Sequence, residues 1–442
     1  MSHRRLAAGF CLLSWTAIAL MTPVSGFERP GPELPLASIS RSIVVTSAEE
    51  LTAALSTDTG GLTIFLQRGT YQVHHAIQVP DNTELIGEGT MLYDGAGLPT
   101  GFAPESRTVI AATPAVTGDF LTLGNGASLR GLVIQDVAGR TGFTGGAVVA
   151  VLSRAPGDSV SAQIVECEIV NPNPLGRAPS GPTGRGLLAM TSNPHLTTGA
   201  VPHEQSFVSV HLTQSIIRSP AGAIGVFGVN FAALSQIALH LRRNVIGGGL
   251  DGAGGASRPD SVVGAMVMVQ SHGNLYRPDS AAHSVPGWIL SGGIDAPFPG
   301  LIAEETVNNK LWLRSIDDRI EGFASGIFAP AGRRASALSG ASSSNELELI
   351  LEGAHLASTT ADFLFYGAHS DIGSMPVGDG NELRVTMRNV IGSGSRTNEY
   401  ADALPNLGMG NRLVISGSLM AFSRTNQAIL PKPDDHHFTS QR

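Results

Sequence analysis

Two histidines of this chain fall at matching places in successive stretches of one repeating pattern. Aligning Val208-Ser-Val-His211-Leu212 with Ile237-Ala-Leu-His240-Leu241 puts both imidazoles at the outward position of strands one coil apart, with Arg242 beside Thr213 at the next outward position. Arg243 follows directly, and His272 ends a later strand of the same kind. An imidazole exchanges a proton near neutral pH, and a guanidinium holds a carboxylate through two hydrogen bonds. That combination suits elimination from a uronate, which needs a base at C5 and a cation to neutralise the carboxylate as enolate character develops. His240 or His211 would be the base, Arg242 or Arg243 the cation, and His272 a further member of the patch. The same side chains would equally well form the solvated polar face of a sheet, since outward strand positions are filled by polar groups in any case.

Other residues offer weaker chemistry. In Gly247-Gly-Gly-Leu-Asp251-Gly-Ala-Gly-Gly255 and Arg258-Pro-Asp260, the oxygens of Asp251 and Asp260 could hold a Ca²⁺ ion, although glycines so arranged also simply make a turn between coils. No other cofactor is expected. Asp317-Asp318 is a candidate acid pair for an inverting hydrolase, but adjacent strand residues reach the required separation only by pointing to opposite faces, and the repeat puts Asp317 at the turn position of Gly353 and Asn389. The two lysines, Lys310 and Lys432, start a strand and lie in the tail, so a lyase would rely on histidine, arginine or Tyr276. His74, His75, His355 and His369 read as isolated surface residues. No Gly-x-Ser-x-Gly, His-Glu-x-x-His or phosphate-binding loop is present.

The elements that must position these groups announce themselves through repetition. Asn-x-Leu-x-(Leu/Val/Ile) occurs at Asn309, Asn345, Asn381 and Asn411, at spacings of 36, 36 and 30 residues. Apolar residues at i and i+2 mark a strand with one buried face, and recurrence every few tens of residues means stacked units. A related pattern occurs at Leu129, Ile164, Leu212 and Leu241, and glycines before apolar runs (Gly146, Gly186, Gly222, Gly264, Gly326) announce a second kind of strand. Long loops are expected at 171–206, 247–261 and 272–306. The chain is therefore all-β, a solenoid.

Its beginning is more specific. Ser47-Ala-Glu-Glu50 is a capping box opening a helix of about ten residues. Leu62-Thr-Ile-Phe-Leu66, Gly69-Thr-Tyr71, Ile77-Gln-Val79-Pro80 and Leu85-Ile-Gly87-Glu-Gly89 follow. This succession resembles the N-terminal cap and first coils of right-handed parallel β-helix proteins of the pectin-lyase-like superfamily. The resemblance implies a right-handed parallel β-helix with a short N-terminal capping helix over residues 42–425. Ser271-His272-Gly273 also resembles a motif of polygalacturonase-like hydrolases and Asp317-Asp318 their paired acids, in reversed order.

Residues 1–26 read as a signal peptide, with basic His3, Arg4 and Arg5, an apolar stretch from Leu6 to Met21, and small residues at Val24-Ser-Gly26. An uncleaved anchor is the alternative. A proline-rich linker, 27–41, follows, and 426–442 form a C-terminal tail. Cleavage would leave Cys167 as the sole cysteine, so no intrachain disulfide is expected even in a secreted or periplasmic protein. The formal charge of −8 and the lack of a basic stripe exclude nucleic acid as a partner, and no membrane association is expected after cleavage. Three functions remain open: a polysaccharide lyase acting on an acidic, uronate-containing glycan; a non-catalytic surface or glycan-binding β-helix; and an inverting glycoside hydrolase.

Overall fold

The computed structural model describes residues 41–419 except 140–145, 174–183, 192–203, 221–222, 257–260, 280–285, 296–304, 335–339, 374, 393–397 and 404–407. The signal segment, nearly all of the linker and the tail lie outside these residues. The chain is a parallel β-helix. Strands stack in parallel into a 21-stranded and a 10-stranded sheet, and the main helix is Ala48–Thr57. The Ser47 hydroxyl accepts from the Glu50 N–H at 3.2 Å, and Glu50 reaches back to the Thr46 N–H at 2.7 Å, so the capping box forms with its return bond displaced by one residue. Leu51, Ala54 and Leu55 of this helix are buried in the solenoid core. They close an end that would otherwise expose apolar side chains.

Each typical coil carries three strands, where the sequence pattern distinguishes two. A seven-residue strand such as Gln236–Arg242 turns sharply into a short one, Val245–Ile246, and both belong to the large sheet; a third, Leu250–Ala256, enters the ten-stranded sheet. Seven-residue strands alternate cleanly: Leu311, Leu313, Leu347 and Leu349 point inward and are fully or almost fully buried.

Left-handed residues bracket these strands. At the exit corner Glu166, Gln214, Arg243, Asp317 and Asn389 have φ between 48° and 54°, and the residue after each is buried. The bend needs a positive φ, and a buried polar group beside it needs a partner, so the corners become hydrogen-bond ladders. Ser215, Asn244, Asn274 and Asp318 form one: the backbone N–H of each of the first three donates to the side chain in the next coil at 2.8–2.9 Å. At the entry corner Asn309, Asn345, Asn381 and Asn411 form another, at 2.9–3.1 Å. The recurring asparagine is thus a buried rung and the leucines after it the inward face.

Four sequence expectations need correction. Gly264 precedes Met266–His272, which pairs with Gln236–Arg242 in the large sheet and is not a strand of the other kind. The supposed loops 171–206, 247–261 and 272–306 contain Arg185–Met190, Leu250–Ala256 and Trp288–Asp295, all in the ten-stranded sheet. Glycine reads as loop there but is dictated by crowding: a Cβ on Gly255 would come within 2.4 Å of the Asn309 side chain, and one on Gly254 within 2.5 Å of the Lys310 backbone.

Candidate functional site

The strands Phe207–Thr213, Gln236–Arg242, Met266–His272 and Lys310–Ile316 lie side by side in unbroken parallel register. His211, His240, Gln270 and Arg314 therefore occupy one outward row on four successive coils, and Thr213, Arg242, His272 and Ile316 the next. With rungs about 4.8 Å apart, such a row brings side chains of remote sequence into contact. The imidazoles of His211 and His240 stack, with ring centroids 4.3 Å apart and planes 10° from parallel. Both rows, with Trp312, line an open groove of about 420 Å³.

Its hydrogen bonds and charges are asymmetric. His240 Nδ1 lies 3.2 Å from Gln270 Oε1, a contact that a proton on Nδ1 would make a hydrogen bond and that would leave Nε2 facing away from the amide. Burial, and then the neighbouring His240, hold His211 below the ordinary imidazole range. Arg314 is held by Glu352, its Nη2 2.9 Å from a carboxylate oxygen. Arg242 is exposed and has no ion-pair partner among the described residues.

The sequence candidates separate as follows. His211, His240, Arg242 and His272 come together in the groove. Arg243 does not line it: it is the left-handed corner residue, φ 53°, and its N–H donates to the His272 carbonyl at 2.9 Å. Asp251 lies in the ten-stranded sheet, away from the groove, and Asp260 lies outside the described residues. Among the described residues no three His, Cys, Asp or Glu side chains are grouped to hold a metal ion.

Asp317 occupies the left-handed corner, φ 54°, as the repeat implied. Asp318 is fully buried and accepts from the Ser315 hydroxyl at 2.7 Å and from Asn274. These two carboxylates do not flank a groove, which removes the geometry an inverting hydrolase would need from them. Tyr276 is buried with its hydroxyl 2.8 Å from Ser271 Oγ, and burial drives its phenol well above the ordinary range, which disqualifies it as a base. Lys310 is 3.3 Å from both Glu346 and Glu348.

Several polar residues escaped the sequence reading. Gln270, Trp312 and Arg314 follow from extending the histidine alignment by two coils, which a correct placement of Gly264 would have permitted. On the ten-stranded sheet, His369 is not an isolated surface residue: it lies 3.4 Å from Asp371, packs against Phe328 and Tyr366, and is held below the ordinary imidazole range chiefly by burial. His355 stands 4.0 Å from Glu321.

No family model and no curated protein matches the chain. Among solved structures it is similar to the catalytic unit of a thermostable GH87 alpha-1,3-glucanase from Streptomyces thermodiastaticus strain HF3-3, at 13% identity and a TM-score of 0.24, covering 85% of this chain and 67% of that one. It is also similar to the PL6 family alginate lyase AlyGC, at 9% identity and a TM-score of 0.16, covering 83% of this chain and 78% of that one. Likenesses this slight carry no argument about what the chain does.

Proposed function

We propose that the chain is an exported polysaccharide lyase that acts on an acidic, uronate-containing glycan at the histidine groove. The stacked pair His211–His240, next to the unengaged Arg242, carries this reading. Imidazoles beside a guanidinium supply the two groups that elimination from a uronate needs, a base and a cation for the carboxylate. A proton on Nδ1 of His240, held by Gln270, would leave Nε2 as that base.

The step balances without a cofactor. His240 Nε2 takes the proton from C5 of the uronate, the electron pair becomes the C4–C5 double bond, and the C4–O4 bond breaks. The leaving O4 then takes a proton back from the imidazolium. Arg242 neutralises the carboxylate, which lowers the cost of charge building at C5. The indole of Trp312 offers an apolar face for a neighbouring sugar ring.

The test is direct. The mature chain is incubated with pectate, alginate and glycosaminoglycans, with and without Ca²⁺, while ultraviolet absorbance of unsaturated ends is followed. Growth of that absorbance, lost in His240→Ala, is expected. Binding without any bond cleavage would instead make the chain a glycan-binding solenoid, and reducing ends without the absorbance would make it a hydrolase.

A further inference from the structure

A second group of polar side chains lies on the outward face of the ten-stranded sheet and takes no part in the groove. Along one outward column Ala150, Leu188, Phe227, Asp251, Ile289 and Phe328 follow one another on successive coils. A single carboxylate thus interrupts an apolar row. Asp251 makes no hydrogen bond or ion pair among the described residues, and burial pushes it up to about 6 although Arg333 and Arg185 pull the other way.

The arginines are placed on either side of it. Arg185 lies over the Phe227 ring at 4.3 Å, is only 9% exposed, and its Nε has no hydrogen-bond partner among the described residues. Arg333 lies over the Phe328 ring at 5.1 Å and is held by Asp371 at 2.7 Å. His369, paired with Arg333 in the sheet, also has a buried Nδ1 without a partner among the described residues. Among the described residues a buried donor, Arg185 Nε, and the partly exposed carboxylate of Asp251 therefore lie unsatisfied on one face of the sheet. A buried donor is rarely left without a ligand or water.

The chemistry narrows the ligand. A carboxylate would satisfy Arg185 and be repelled by ionised Asp251; an amine would do the reverse. A hydroxyl accepts from a guanidinium and donates to a carboxylate, so a hydroxyl-rich ligand satisfies both. We propose that this face is a second site, distinct from the histidine groove, for a neutral, hydroxyl-rich sugar residue of a glycan, with Arg185 donating to its hydroxyls and Asp251 accepting from them. The proposal stands apart from the lyase reading, because it requires no uronate and no bond cleavage.

Calorimetric titration of the full mature chain with maltohexaose, cellohexaose, xylohexaose, mannohexaose and oligogalacturonate tests it. Asp251→Leu, which continues the apolar column, and Arg185→Met are the site variants; His240→Ala is the groove control, and thermal melts establish that each variant is folded. At least one neutral oligosaccharide should bind the wild-type chain. Its affinity should fall roughly tenfold or more in both site variants, as expected for lost hydrogen bonds to charged groups, and stay unchanged in His240→Ala. The proposal is overturned if no neutral oligosaccharide binds, if binding survives both substitutions, or if oligogalacturonate alone binds here. Uronate elimination is read separately, so loss of either activity leaves the other measurable.

Discussion

His211 lies directly beside His240 across one rung of the sheet, their rings stacked at 4.3 Å. The contact joins two segments 29 residues apart that repeat one strand pattern, and the winding of the chain makes them neighbours. It also sets their electrostatics, since each imidazolium would face the other.

From this contact follows an asymmetry between the two residues. His240→Ala should lower kcat by about a hundredfold to ten-thousandfold, the span of a lost general base, whereas His211→Asn should leave most of the rate. Because the folded state holds His211 below its unfolded value, its contribution to stability is present above that value and is lost as pH falls through the folded one. Melting temperature against pH, with and without His211→Asn, measures this; a steeper acid loss in the variant would contradict it.

Arg242 should act on binding and on the charged transition state. Arg242→Lys keeps the charge and loses the planar fork, so kcat/KM on a uronate polymer should fall about tenfold to a hundredfold, from roughly 1.5–3 kcal/mol of charged hydrogen bonding. Its exposed, unpaired position means that stability should change by no more than about 0.5 kcal/mol. Urea unfolding alongside steady-state kinetics separates the two effects. An unchanged kcat/KM would assign the carboxylate to another group.

Legibility of the fold and of the sites differs for a physical reason. The corner asparagines and alternating leucines repeat because each rung must solve the same packing and hydrogen-bonding problem, and so the His211–His240 contact could be read from alignment alone. Strands of the ten-stranded sheet carry a weaker signal, a glycine at an apolar run, which marks Ala147–Leu152, Arg185–Met190, Ile224–Val229 and Ser325–Arg334 but fails at Leu250–Ala256. Leu250–Ala256 is glycine-rich because the corner amide of Asn309 and the Lys310 backbone press against it, and its sequence looks like a loop. Arg185, Asp251 and Arg333 are brought together only by coils of unequal length, which no local spacing encodes.

The asparagine ladder should be costly to interrupt. Asn345 is fully buried and accepts from the backbone N–H of Asn309 at 3.0 Å and from its side-chain amide at 3.1 Å. Asn345→Ala strands both donors. At about 1–3 kcal/mol for each unsatisfied buried group, a loss of roughly 2–6 kcal/mol is expected in denaturant unfolding. A loss under about 0.5 kcal/mol would mean that the corner is held by backbone bonds alone.

Asp318 ends the other ladder where the preceding coils carry Asn274 and Asn244, and the substitution of an acid for an amide has a sign that can be worked out. Its Oδ1 accepts from the Asn274 backbone N–H at 2.8 Å and its Oδ2 from the Ser315 hydroxyl, yet burial outweighs these bonds and lifts the carboxyl from 3.8 to about 6. Between those values the folded chain holds a proton that the unfolded chain has released. Stability should therefore fall as pH rises from about 4 to about 6 and then stay level, a total loss on the order of 3 kcal/mol from a shift of roughly two pKa units. Asp318→Asn removes the ionisation and continues the amide ladder, so it should stabilise the chain at neutral pH, by up to that amount, and hardly at all at pH 4. Urea unfolding of both chains across this range measures the difference. A variant no more stable than wild type at neutral pH would show that the carboxylate is better solvated in the ladder than its burial implies, and a loss of catalysis in a stably folded variant would return Asp318 to the reaction.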